Sequence, residues 1–416
     1  MKTRVLKQFN LKRNVIGLLI VIMLVLCISL FMKNKTNTLN NTSINEESIV
    51  EELDDNLIGA YIQQGEEYVK ADTIPTSGYE FNAEESYCKI GDAIQEDMTL
   101  FYDMDTQTLT VSPIAKEGTK CYLYFDEKVS GGDYILAGDN PPTNSTTDWT
   151  GGTTYYYTGN PNNWVQFGGF WWRIIRINGD GSIRMIYQGT SVNATGEETQ
   201  IGTSNFNDLS NNNMYVGFKY TSGQVHGTGT NSTILNTLNT WYQQNLADKA
   251  DYIDENAGFC GDRIPSTSPN SSDGSGGTGT TETYYGAYIR LVNNNNPSLQ
   301  CDNQDLYTTT DSSSGNKSLQ YPIGLVTADE VVLAGGSTSS EICNYYLCTG
   351  QDYWTMSPYG YDSAGAYMFI VYYFGRLDGI EVSFRPGVRP VINLRSDVSL
   401  TGSGTTSAPF KVVGAS

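Results

Sequence analysis

The chain has 416 residues, with 45 Asp and Glu against 25 Lys and Arg, one His and seven Cys. A formal net charge of −20 argues against a nucleic-acid partner, because phosphate neutralisation needs a concentrated basic face, and a single histidine excludes His-rich metal sites. Few charges (17%) beside 43 Gly and 29 Tyr describe a loop-rich β protein rather than a helical bundle.

Residues 1–14 read as a short cytoplasmic tail. Val15 to Met32, VIGLLIVIMLVLCISLFM, holds no charge and is just long enough to cross a hydrocarbon core as a helix. Lys2, Arg4, Lys7, Lys12 and Arg13 precede it, whereas only Lys33 and Lys35 follow closely, so the N-terminus is expected in the cytoplasm and the bulk of the chain outside the cell. The segment after the span has no small-x-small site, and Leu24-Val25-Leu26 before Cys27 lacks the small residue of lipoprotein processing, so an uncleaved single-pass signal anchor in the cell membrane is expected. Residues 1–35 hold seven basic and no acidic groups; the remainder carries 18 positive against 45 negative, a net −27.

Cys27 falls in the span, leaving six cysteines outside, an even number in an oxidising compartment. Fifteen connectivities are open, and their placement as neighbouring couples favours Cys88 with Cys121, Cys260 with Cys301 and Cys343 with Cys348, bracing loops.

Residues 33–56 form an acidic stalk in which Ser43 and Glu46 make a capping-box pattern. Between 57 and 130, Met98–Tyr102, Thr108–Val111 and Cys121–Phe125 predict strands of a small β-sandwich. Residues 131–154, rich in Gly, Pro, Asn and Thr, read as a linker.

The second unit spans 155–413. Val165–Phe167, Phe170–Ile177 and Ser182–Tyr187, separated by Gly168-Gly169 and Asn178–Gly181, predict three strands with two tight turns. Ser232 precedes the stripe Ile234, Leu235, Leu238, Trp241, Tyr242 and Leu246, a capped amphipathic helix; Thr327 and Glu330 form the capping box of a second helix, which stops at Gly335-Gly336. Ala366–Tyr373, Ile380–Phe384 and Val388–Leu394 return to strand. The resulting expectation is an α+β chain: a membrane-anchor helix, a small β-sandwich, then a loop-rich antiparallel domain with two main helices.

Motifs for chemistry are weak. Gly274 to Gly279 spells GxGxxG but lies between coils, without the strand and helix a phosphate cradle needs. His226 has no nucleophile elbow nearby and reads as a loop-bonding residue. No catalytic residue, cofactor or metal ligand is assigned. Aromatic runs such as Tyr155–Tyr157, Trp171-Trp172, Tyr345-Tyr346 and Tyr372-Tyr373-Phe374 suit core packing or an adaptable binding surface.

Tyr321–Glu330, Tyr353–Pro358 and Gly387–Leu394, with Phe170–Ile175 and Leu238–Tyr242, resemble a domain family of unknown function, widespread in surface proteins of low-GC Gram-positive gut bacteria. That family is distantly similar to the C-type-lectin-like fold shared with the formylglycine-generating-enzyme superfamily. The resemblance covers most of 155–413 and implies a lectin-like fold with no assigned activity. The calcium-dependent sugar signatures of C-type lectins are absent. Cys343 and Cys348 share the four-residue spacing of the copper-binding pair in some formylglycine-generating enzymes, but they precede the Trp354 motif, whereas in those enzymes the pair lies close before the final Gly-Phe-Arg strand.

The leading expectation is therefore a non-enzymatic, membrane-anchored surface protein binding an unknown protein or glycan through lectin-like loops, with Trp354, Tyr359 and Tyr361 as candidate surface aromatics. The alternatives are a copper-dependent thiol oxidase and a passive surface spacer.

Overall fold

The structure, a computed structural model, describes residues 58–415 except 77, 105, 267–275 and 310–313. The expected tail, membrane span and stalk lie outside the described residues, as do Gly274 and Ser275 of the glycine motif. Strand makes up 36% of the described residues and helix 14%, so the class is β-rich and the α+β expectation is corrected. Both expected helices exist, but they have 13 and 6 residues, and the long connections beside them form two-residue ladders rather than further helix. Among the described residues no helix is long and apolar enough to cross a membrane.

The chain divides into two units, residues 1–128 and 129–416. The first contains β1 (Ile58–Gln64), β2 (Glu67–Ala71), β3 (Tyr79–Ile90), β4 (Ala93–Ile94), β5 (Thr99–Asp103), β6 (Thr108–Ser112) and β7 (Thr119–Glu127). A sheet of order β2-β1-β7-β3-β4 is joined by the β5–β6 hairpin, a lighter second layer than a sandwich requires. Alternation decides the faces. Along β7, Cys121, Leu123 and Phe125 turn inward to Leu100, Tyr102 and Leu109 of the hairpin, while Tyr122 and Tyr124 join Tyr61 and Tyr87 in stacked outer pairs. Cys88 and Cys121 lie directly opposite across β3 and β7 and form a disulfide.

The second unit opens with α1 (Gly131–Ala137), capped by Ser130, whose side chain accepts from Asp133 N at 3.0 Å. Then come β8 (Asn144–Thr147), β9 (Thr153–Tyr156), β10 (Trp164–Phe167), β11 (Phe170–Ile177), β12 (Ile183–Gly189), β13 (Lys219–Tyr220), β14 (Thr230–Asn231) and α2 (Thr233–Asn245). β15 (Phe259–Cys260), β16 (Thr283–Tyr284), α3 (Gly286–Tyr288, continuing as a π turn over Ile289–Asn293), β17 (Leu306–Tyr307) and α4 (Ala328–Leu333) follow. The chain finishes with β18 (Tyr353–Tyr361), β19 (Ala366–Val371), β20 (Leu377–Glu381), β21 (Val391–Leu394), β22 (Leu400–Thr401) and β23 (Phe410–Val412).

Two sheets carry this unit: β21-β12-β11-β10-β23-β22, with the β8–β9 hairpin attached to β11, and β16-β18-β19-β20. Residues 131–154 are therefore integral to the unit and not a linker. Their glycines serve close approach: a Cβ on Gly152 would meet the Gly179 backbone at 2.6 Å, and one on Gly132 would meet Gly181 O at 2.8 Å.

A buried charge network ties the first sheet to α4. Arg176 and Arg184 face each other across β11 and β12, a like-charge pair that destabilises a sheet when uncompensated. Glu330, 2% exposed, lies between them, with Oε1 3.0 Å from Arg176 Nε and 2.5 Å from Arg184 Nε. Its Oε2 accepts from Thr327 N at 2.8 Å, closing the capping box of α4. Burial pushes the Glu330 carboxyl up, but Arg184 and Arg176 outweigh it and hold the group below its usual range. Asp148, fully buried, sits 3.5 Å from Arg176 Nη1. Changing Glu330→Gln keeps the cap but leaves both guanidinium groups underpaired; chemical denaturation should show a loss of about 3–5 kcal/mol.

Candidate binding surface

The expected surface aromatics of β18 do not form a surface. Trp354 is 0% exposed and Tyr361 6%: the indole packs against Phe206 and donates to Ser204 O at 2.7 Å, and the Tyr361 hydroxyl donates to Asn211 O. Tyr359 is half-buried between Tyr288 and Phe369, and burial raises its hydroxyl pKa. β18 is an inner strand covered on both faces, so consecutive side chains are buried without alternation.

An exposed aromatic, Tyr373, lies one hairpin away among half-buried rings. The strand predicted to reach Tyr373 ends at Val371, and Tyr372-Tyr373-Phe374-Gly375-Arg376 turns into β20. Tyr372 N donates to Arg376 O at 2.9 Å and Gly375 N to Tyr372 O at 2.8 Å. Gly375 has φ +94°, and a Cβ there would meet Ile342 O at 2.8 Å, so only glycine serves this position. Tyr372 and Phe374 stack at 5.3 Å, Tyr373 meets Phe374 edge-on at 4.8 Å, and the Arg376 guanidinium lies 5.5 Å from the Phe374 ring centre. Tyr373 is 59% exposed, and Ile342, next to Cys343, is 64% exposed.

This turn is braced from behind. Cys343 and Cys348 form a disulfide; Tyr345 between them donates its hydroxyl to Gly375 O at 2.8 Å, and Asp352 accepts from Tyr373 N at 2.7 Å. Cys348 Sγ lies 3.7 Å from Tyr373 O. Arg376 pairs with Glu341 and Asp378. The result is a braced aromatic knuckle with Tyr373 outward and Tyr372 and Phe374 half-buried beside it. The available signal in the sequence was Gly375 after three aromatics, a residue type that marks a turn.

The third disulfide couples Cys260 and Cys301, so all three expected pairings are present. His226 is positioned by buried Asp305, Nδ1 to Oδ1 2.9 Å; Asp305 also accepts from Arg263 N at 2.6 Å, so the dyad fastens loops to a carboxylate, and among the described residues no Ser or Cys is hydrogen-bonded to the ring. Asp180, Asp251, Asp254, Glu255 and Asp397 line one acidic groove with Arg395, yet among the described residues no three His, Cys, Asp or Glu side chains are placed to hold a metal.

One titrating group stands apart from the surface. Arg290, on the π turn, is shared by Asp262 (2.5 Å) and Asp329 (2.8 Å) beside a cavity of about 10 Å³. Burial raises the Asp262 carboxyl to about 6, against the pull of Arg290 and with help from Asp329 and Asp305. The folded chain therefore holds this proton more tightly than the unfolded chain, whose carboxyl titrates near 3.8. Stability should fall as pH rises from about 4 to about 6 and then level off, and Asp262→Asn should remove that component from a pH series of denaturant melts.

Removing Cys343 and Cys348 together, both to Ser, should cost about 2 kcal/mol on the loop-entropy model and increase amide exchange at residues 372–376. Unchanged exchange would show that the brace does not stiffen the knuckle. Comparison of the chain with protein-family models, with curated proteins and with solved structures finds no match.

Proposed function

We propose that this chain is a membrane-tethered, extracytoplasmic surface protein whose second unit binds a protein partner through the Tyr372–Phe374 knuckle. The uncharged segment 15–32 and its basic flank support the tether, and three disulfides suit an oxidising compartment. The observation that carries the binding role is the braced turn that presents Tyr373, 59% exposed, with Ile342, 64% exposed, and with half-buried Tyr372 and Phe374 packed against one another in the same turn. Clustered apolar surface marks interaction sites, and aromatic anchors held rigid lose little entropy when a partner covers them. The motifs that resemble a surface-protein family support the same reading.

The bond between Cys343 and Cys348 favours binding over a copper-dependent thiol oxidase, which needs both sulfurs as thiolates. A passive spacer would leave the 59% exposure of Tyr373 without a role.

The full chain should retain a partner from a panel of purified host and neighbour-cell surface proteins. The double change Tyr373→Ala and Phe374→Ala should weaken that complex by about 30-fold or more, as loss of a hot spot does, with the fold retained by circular dichroism. A panel without a binder, or a double variant that binds like the parent, overturns the proposal. Protease added to intact cells should release the body of the chain, whereas full protection would reverse the orientation.

A further inference from the structure

Away from the knuckle, α2 shows a second kind of surface. Its inner stripe buries Ile234, Leu235, Leu238 and Tyr242. The opposite side presents Asn236, Thr237, Thr240, Trp241 and Gln244, which with Ile201 line an open groove of about 470 Å³. From Asn236 to Gln244 the helix rises about 12 Å. No lining residue is charged, on a chain with 45 acidic side chains.

The polar groups here have capacity to spare. Thr240 donates to Asn236 O and keeps its lone pairs. Among the described residues, neither the Trp241 indole N–H nor the Gln244 amide makes a hydrogen bond within the chain. Trp241 touches Phe170, Trp172 and Tyr187, all tilted or edge-on; no aromatic ring is stacked parallel upon it.

We infer that this groove is a binding site for a neutral oligosaccharide. A sugar ring offers C–H faces that pack on an indole and a rim of hydroxyls that both donate and accept, and the groove pairs one aromatic ring with amides and hydroxyls that do the same. Charged glycans would lose hydration here without meeting a counter-charge, and polyanions are also repelled by the net charge. An extended peptide finds no free backbone edge, because the backbone of this face is engaged within the helix, and too little apolar surface lines the groove to seat an amphipathic helix. The inference concerns a different surface from the knuckle and stands or falls separately.

Calorimetric titration of the full chain with maltotetraose, cellotetraose and mannotetraose, beside the anionic hyaluronan tetrasaccharide, tests the site. At least one neutral sugar should bind with a Kd of about 1 mM or below, and the anion should not. Trp241→Ala should weaken binding about tenfold or more through loss of the stacking ring; Trp241→Phe, which keeps a ring but removes the N–H, should weaken it by about 2- to 12-fold. Thr240→Asp, an exposed change that leaves the indole packing alone, should also abolish binding and carries the test if Trp241→Ala fails to fold. The Tyr373→Ala, Phe374→Ala variant should bind the sugar normally, which separates this site from the protein-binding proposal. Absence of neutral-sugar binding, equal affinity for the anion, or wild-type affinity in folded Trp241→Ala or Thr240→Asp overturns the inference.

Discussion

One buried carboxylate joins the larger sheet of the second unit to α4. Arg176 and Arg184 stand opposite on two adjacent strands of the larger sheet, and neither can be hydrated at 1% exposure. Glu330 resolves the repulsion, and it does so from the first turn of α4, where the same group also closes the helix cap. Sheet and helix thus share an electrostatic centre. The residues that follow α4 lead into β18, whose Met356 N donates to Val326 O just before the helix. The position of the smaller sheet, and so of the knuckle at its hairpin tip, is referred back to that ion pair.

Around this centre the unit divides its aromatic residues by task. Trp172 and Trp354, both fully buried, fill the core and spend their indole N–H groups on the Phe167 and Ser204 carbonyls. Tyr373 and Trp241 sit at the periphery, one on a disulfide-braced turn and the other on a helix face surrounded by uncharged polar groups. Their surroundings differ in chemistry: Tyr373 stands beside exposed Ile342 and the Arg376 ion pairs, whereas Trp241 lies in a groove lined by hydroxyls and amides. Rigid scaffolds carry recognition at such margins because the core leaves no freedom for it.

Local signals in the sequence were reliable wherever one short segment carries the whole cause. Gly168-Gly169 adopts φ +60° and +78° between β10 and β11, Ser232 accepts from Leu235 N to start α2, and neighbouring cysteines pair. What was not legible depends on distant partners. The Arg176–Glu330 contact spans 154 positions, beyond any periodicity. Residues 131–154 have the composition of a linker, yet their glycines permit backbone contact with Gly179 and Gly181, which only the fold reveals. Trp354 and Tyr361 could not be told from exposed aromatics because a strand covered on both faces shows no alternation. Trp241 falls on the apolar stripe of α2 but at its margin, so the same residue packs inward and lines the groove.

The order of strands in the larger sheet has a consequence for how the chain reaches its native state. β12 is flanked by β21, and β10 pairs in parallel with β23, so strands at residues 164–189 wait for partners at 391–412. The sheet is incomplete until more than two hundred intervening residues have been made. Closing such a loop must precede the contacts that reward it. A chain emerging vectorially, from ribosome or translocation channel, would therefore hold its second unit open until nearly the whole of it had appeared, while β1 to β7 of the first unit, complete by residue 127, could fold well before.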